Sequence, residues 1–216
     1  MTVTLDSHIH LFRPGTDADP RTLLMLHGTG GDEASFADLG PILAPGAAVL
    51  SLRGNVSEHG MNRFFRRRAE GVYDMDDLAF RTRALGAFVE AALQQYEIDR
   101  DRLIGVGYSN GANILANLLF QEPSLVPAAV LMHPPIPFAP EDQPGLAGRR
   151  VLITAGEQDP ICPPALTRAL HGYLERQGAA AELMFYPGGH ELQATELEAA
   201  RRFVAVRPAA PAALPG

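Results

Sequence analysis

Several hallmarks of exported, membrane-bound and cofactor-dependent proteins are missing from this chain of 216 residues. It has a single cysteine, Cys162, which excludes an internal disulfide and suits a reducing compartment. Beside the apolar Ile161 it reads as a small hydrophobe near a pocket. No apolar run approaches the roughly 18–20 residues that a membrane-spanning helix needs. The opening Met1-Thr2-Val3-Thr4-Leu5-Asp6 has neither the basic nor the apolar stretch of a signal peptide, so a cytoplasmic protein is expected. A formal charge of −7 gives no electrostatic reason to expect nucleic acid or stable membrane association. There is no internal repeat. His8 and His10 have the alternation of metal ligands but lack clustered Cys, His or Asp companions, so no metal is expected. Gly105, Gly107 and Gly111 fail as a dinucleotide fingerprint, because Asn110 stands where the third glycine belongs. Gly28-Thr29-Gly30-Gly31 fails likewise, with Glu33 at the needed position. No cofactor is expected.

What is present is a core. Hydrophobic residues make up 46% of the chain, and its length suits one domain, here residues 1–206. Apolar runs predict strands near residues 4–12, 22–27, 47–52, 102–108, 128–133, 149–155 and 181–186. Amphipathic periodicity predicts helices near 76–97, 111–121, 163–177 and 191–205. That alternation means an α/β fold with a mainly parallel sheet of about seven strands flanked by helices. The Pro/Ala-rich tail, residues 207–216, is expected to be disordered.

The most informative segment is Gly107-Tyr108-Ser109-Asn110-Gly111, which lies between a strand and a helix in this reading. A G-x-S-x-G at such a junction is the nucleophile elbow of an α/β-hydrolase: a strained turn that holds the serine hydroxyl at the carboxyl edge of the sheet. A helix N-terminus just behind it favours negative charge developing there. The elbow predicts an acid and then a histidine, each after a later strand. Asp159 in Gly156-Glu157-Gln158-Asp159-Pro160 and His190 in Pro187-Gly188-Gly189-His190 meet that order. Glu157 competes as the acid, but Asp159 lies deeper in its loop, beside Ile161 and Cys162. His133 ends a strand and borders the expected pocket without a motif of its own. An oxyanion hole needs two backbone N–H groups, which the order of elements assigns to Asn110 and Thr29. His27 is expected to shape that loop.

These motifs, with Leu26-His27-Gly28-Thr29-Gly30-Gly31-Asp32 and Arg63-Phe64-Phe65-Arg66-Arg67, resemble the phospholipase/carboxylesterase branch of the α/β-hydrolases over roughly residues 20–205. The resemblance implies a serine carboxylesterase acting on a small-molecule ester through Ser109, His190 and Asp159. A thioesterase, a lysophospholipase or a non-catalytic binding module of the same fold are the alternatives. Dienelactone hydrolases share the architecture but use cysteine, and Ser109 argues against that activity. Phe64, Phe65, Ile161 and Leu192 are candidates for the substrate pocket, although the two phenylalanines fit a place in the core equally well. Residues 134–148 offer too short a connection for a large cap domain. The oligomeric state is open, a homodimer included.

Overall fold

The computed structural model describes residues 5–206, so the expected tail lies outside the described residues. In chain order the elements are β1 (His10–Arg13), β2 (Thr22–Leu26), α1 (Glu33–Ala37), α2 (Gly40–Leu43), β3 (Ala48–Leu52), β4 (Val56–Glu58), β5 (Met61–Arg63), β6 (Arg67–Ala69) and β7 (Val72–Tyr73). There follow α3 (Met75–Gln95), β8 (Leu103–Tyr108), α4 (Asn110–Gln121), β9 (Ala128–Met132), β10 (Arg150–Gly156), α5 (Pro164–Arg176), β11 (Ala180–Tyr186) and α6 (Ala194–Ala205).

Seven strands form one sheet in the order β1-β3-β2-β8-β9-β10-β11. β1 runs antiparallel to β3, and every other neighbouring pair is parallel. The central strands read as unbroken apolar runs because both faces are covered. Along β2 the pleat sends Leu24 and Leu26 to one core, with Phe88 and Leu115. It sends Leu23 and Met25 to the other, with Phe36 and Phe203.

Helix α4 packs hard against the sheet, and the elbow glycines explain why it can. A Cβ on Gly107 would lie 2.7 Å from the Ala112 backbone nitrogen, and one on Gly111 would overlap the Leu26 carbonyl. With no side chain at either position, helix and strand backbones meet directly. This brings the first turn of α4 beneath the serine.

The departures from expectation lie in short elements. Residues 5–7 form a 3-10 turn ahead of β1, where a longer strand is predicted. α1 starts on a capping box, Asp32 accepting from the Ala34 and Ser35 N–H groups while Ser35 returns a bond to the Asp32 backbone. Residues 54–74 fold into the hairpins β4–β5 and β6–β7, turned by Gly60 (φ 83°) and Gly71 (φ 68°). α6 begins at Ala194, because the chain from Gly188 to Gln193 is spent on the loop that carries His190. The connection from β9 to β10 carries only a 3-10 turn at Pro144–Leu146, so no large cap covers the sheet. Among the described residues no helix is long and apolar enough to cross a membrane.

Candidate active site

Ser109 stands between β8 and α4 with φ 51° and ψ −113°, a conformation a non-glycine residue adopts only under tertiary constraint. Its N–H donates to the Met132 carbonyl of β9 (2.8 Å), which pins the turn from below. The Ser109 Oγ lies 2.9 Å from His190 Nε2, and His190 Nδ1 lies 2.7 Å from Asp159 Oδ2. The three residues, drawn from the ends of β8, β10 and β11, thus form one unbroken hydrogen-bond line. Nδ1 must carry the proton here, since a carboxylate only accepts, so Nε2 is free to accept from the serine hydroxyl.

Asp159 is buried, whereas Glu157 is exposed in the same loop and contributes its backbone N–H to the Tyr186 carbonyl (2.9 Å). Asp159 Oδ1 accepts from the Ile161 and Cys162 N–H groups at 2.9 Å each. Burial alone would raise its pKa. Bonds from His133, the Cys162 amide and His190 outweigh burial and hold the carboxyl below the usual aspartate value. The Cys162 thiol is buried against Thr167 and pushed up to about 12, mainly by burial, so it is no rival nucleophile.

Both expected oxyanion donors border the same cleft as Ser109 and His190, a cavity of about 290 Å³ also lined by Arg63, Arg67, Tyr108 and Ile161. Asn110 is the first residue of α4, where an N–H has no partner within its own helix. In the loop after β2, the Gly30 and Gly31 N–H groups are committed to the Asn62 and Gly28 carbonyls, whereas Thr29 lines the cleft together with Ser109. His27 is buried and bridges the loop. Its Nδ1 faces the Gly28 carbonyl at 2.6 Å and its Nε2 accepts from the Gly54 N–H at 2.9 Å, in keeping with a shaping role.

Of the four pocket candidates, only Ile161 lines the cleft. Phe64 and Phe65 are corrected to core residues: their rings pack on His27 and Tyr73, with centroids 4.8 Å away in each case. Leu192 packs toward the helix α6 side of the sheet instead. Apolar rings at the base of a hairpin gain more from full burial than from a water-filled cleft.

Arg63 takes the wall position expected of the phenylalanines. It donates through Nη1 to Thr29 Oγ1 (2.7 Å) and through Nε to the Phe65 carbonyl (3.3 Å), and burial pushes its pKa down. The neighbouring Phe64 N–H donates to the Asn110 side-chain oxygen at 2.7 Å. Consecutive residues of this segment are therefore tied to both oxyanion candidates, a role that sequence reading missed because nothing in an arginine-rich loop marks which arginine turns inward. His133, expected to border the pocket, does not line the cleft and is wholly buried behind Asp159.

Among the described residues, the only His/Cys/Asp/Glu triplet close enough to share an ion is His133, Asp159 and His190. Both imidazoles already point a ring nitrogen at Asp159 Oδ2 at hydrogen-bond distance, so the group reads as proton-bridged.

Comparison with known proteins agrees with this fold. The dienelactone hydrolase family model matches residues 65–210. The Bacillus subtilis (strain 168) protein named "Putative hydrolase MhqD" is 43% identical over 194 residues, covering 90% of this chain and 96% of its own. A Bacillus cereus carboxylesterase superposes with a TM-score of 0.85 at 43% identity, over 92% of this chain and 93% of its own. The Agrobacterium tumefaciens str. C58 protein Atu2452, of unknown function, superposes with a TM-score of 0.85 at 51% identity, over 95% of this chain and all of its own.

Proposed function

Because the chain belongs to the dienelactone hydrolase family and is an esterase-type hydrolase of the α/β-hydrolase fold, we propose that it is a serine carboxylesterase acting on esters of short to medium acyl groups through a covalent acyl-enzyme. The observation that carries this reading is the line Ser109 Oγ, His190 Nε2, His190 Nδ1, Asp159 Oδ2, with both contacts under 3 Å, at the floor of an open cleft.

In this mechanism His190 takes the Ser109 proton as Oγ attacks the ester carbonyl, and Asp159 stabilises the imidazolium that forms. The carbonyl oxygen becomes an oxyanion held by the Thr29 and Asn110 N–H groups. Each such donor is worth about 3–4 kcal/mol in the transition state. Collapse expels the alcohol, which takes the proton from His190. A water deprotonated by His190 then attacks the acyl-enzyme and releases the acid, restoring Ser109. Serine in place of cysteine at the elbow argues against dienelactones as the natural substrate, since cysteine is the nucleophile associated with that activity.

The domain is proposed to comprise residues 1–206 and to act in the cytoplasm without a cofactor. A fluorophosphonate should label the native protein at Ser109 and leave Ser109→Ala unlabelled. Labelling elsewhere, or turnover of a nitrophenyl ester panel by Ser109→Ala, overturns the assignment. Adding thioesters to that panel distinguishes an esterase from a thioesterase, since only the leaving group differs.

A further inference from the structure

The acid of this site is held from behind by a second histidine. His133 follows β9 with φ 53°, a left-handed conformation rare outside glycine and asparagine. Its N–H donates to the Thr154 carbonyl (2.8 Å), which fixes the bend between β9 and β10. The ring points inward: Nδ1 lies 2.7 Å from Asp159 Oδ2, the oxygen that also meets His190. On the other side Nε2 lies 3.1 Å from Glu196 Oε2 on α6 and within hydrogen-bond reach of the Tyr186 hydroxyl at the end of β11. Tyr186 in turn donates to Glu196 Oε2. The side chains of His133, Asp159 and Glu196 have no solvent exposure.

Counting protons narrows what this chain can be. Asp159 Oδ2 only accepts, so His133 Nδ1 carries a hydrogen. With Glu196 ionised, its Oε2 can only accept from Tyr186, so Nε2 brings a hydrogen of its own to face the tyrosine and glutamate oxygens. A ring with both nitrogens protonated is a cation. The competing arrangement places that proton on Glu196 and lets Tyr186 donate to Nε2. It would leave the Asp159 carboxylate as the only charge of the buried group, with no cation beside it.

We propose that His133 is a positioning residue of the active site, a buried imidazolium clamped between Asp159 and Glu196, whose charge moderates the pull of Asp159 on His190. The inference rests on the triad reading above and deepens it. Burial works against the cation, but the hydrogen bonds and charges of Glu196 and Asp159 outweigh it and keep the His133 pKa above the ordinary histidine value. The ionisable groups around the ring are Asp159 after β10, Glu196 on α6, Tyr186 on β11, Tyr108 on β8 with its ring 5.8 Å away, and His190 and Glu191 in the loop after β11. The His133 and His190 ring centroids are 5.0 Å apart. A cation at that distance shares the charge of Asp159 Oδ2 with His190, because both rings meet the same oxygen.

The test reads the ring directly and then its effect. In ¹⁵N-histidine NMR of the unaltered protein, one imidazole should carry two protonated nitrogens at pH 7.5, well above the unperturbed histidine pKa of about 6.5. That signal should vanish in His133→Asn, chosen because asparagine tolerates the left-handed backbone. It should revert to a neutral ring in Glu196→Gln. The acid limb of kcat/KM in His133→Asn should move up by about one pH unit, with KM little changed. A neutral His133 ring in the unaltered protein overturns the proposal, as does a signal that persists as a cation in Glu196→Gln or an acid limb that stays in place. The NMR signal does not need turnover, so it stands or falls separately from the Ser109→Ala test of the triad.

Discussion

The two walls of the cleft are held by different forces. On one wall, Ser109, Asp159 and His190 sit within a few residues of strand ends, and backbone contacts orient them: the Met132 carbonyl beneath the elbow, and two amides on Asp159. On the other, residues 54–74 reach over the site on two small hairpins tied by charge. Arg67 pairs with Glu58 and Glu70, Arg66 with Asp74 and Asp77, and Arg63 with Glu58 at 3.5 Å. The sheet fixes the chemistry through backbone contacts, whereas the hairpins shape what enters through contacts that are mostly part-exposed and open to salt. A strand end places an atom without depending on side-chain choice. A hairpin held by ion pairs can change its lining without disturbing the nucleophile.

The largest expected effects fall on the first wall. Ser109→Ala and His190→Ala should each lower kcat for a nitrophenyl ester by about 10⁴-fold or more while circular dichroism stays native. The double variant should be little worse than either single one, because the residues act as a unit. Additive losses would dissolve the idea of a single machine on that wall.

Next comes the contrast between two acids in one loop. Asp159→Asn should cost about 10³- to 10⁴-fold in kcat, since the amide disturbs both the tautomer and the charge behind His190. Glu157→Gln should stay within about twofold, as expected of an exposed surface change. Measured kcat values in the reverse order would transfer the role of acid to Glu157.

Arg63 sharpens the comparison because it joins the walls. Arg63→Met removes the bond to Thr29 Oγ1 but keeps most of the apolar stem. About a tenfold fall in kcat is expected as the loop after β2 loses its register, a misplacement effect. An unchanged kcat with a raised KM would mean that Arg63 only contacts substrate.

Smaller still is the response to acyl length. With no large cap to displace, rates on a series of nitrophenyl esters should peak at short to medium chains. They should show no jump as micelles form. A preference for long chains would mean that the hairpins close like a lid.

The last prediction concerns pH and stability beside the charged wall. His8 is buried against Phe88, and burial first, with Arg81 and His10 adding to it, lowers its pKa to about 4. Between pH 6.5 and 4 the unfolded chain binds a proton at His8 that the folded chain does not, so stability falls as pH falls through that window. The loss is at most about 3 kcal/mol. Urea midpoints at pH 7 and 4.5 should therefore differ, and His8→Asn should reduce the difference.

The difference between the walls also governs what could be read from sequence. Ser109, Asp159 and His190 are legible because each follows an apolar run long enough to be a buried strand, and a parallel sheet delivers the ends of its strands to one edge. The hairpins of residues 54–74 carry no comparable periodicity, since strands of two or three residues are too short to show alternation. Hence Phe64 and Phe65 were assignable to wall or core with equal ease, and Arg63 could not be told from its neighbours. His133, Tyr186 and Glu196 escape for another reason. His133 lies 53 residues before Tyr186, so nothing local links it to β11 and α6, and Glu196 sits in an α6 sequence whose other glutamate, Glu198, faces solvent.

One bond described by neither wall alone bears on motion. The Tyr108 hydroxyl, from the residue just before the nucleophile, donates to the His190 carbonyl at 2.7 Å, and its ring fills the space that a side chain on Gly28 would occupy. Nucleophile and base are therefore fastened to each other through a path that bypasses the hydrogen bond they use in catalysis. A displacement of the loop that carries His190 away from the elbow would therefore have to break this second tether as well as the bond between serine and imidazole.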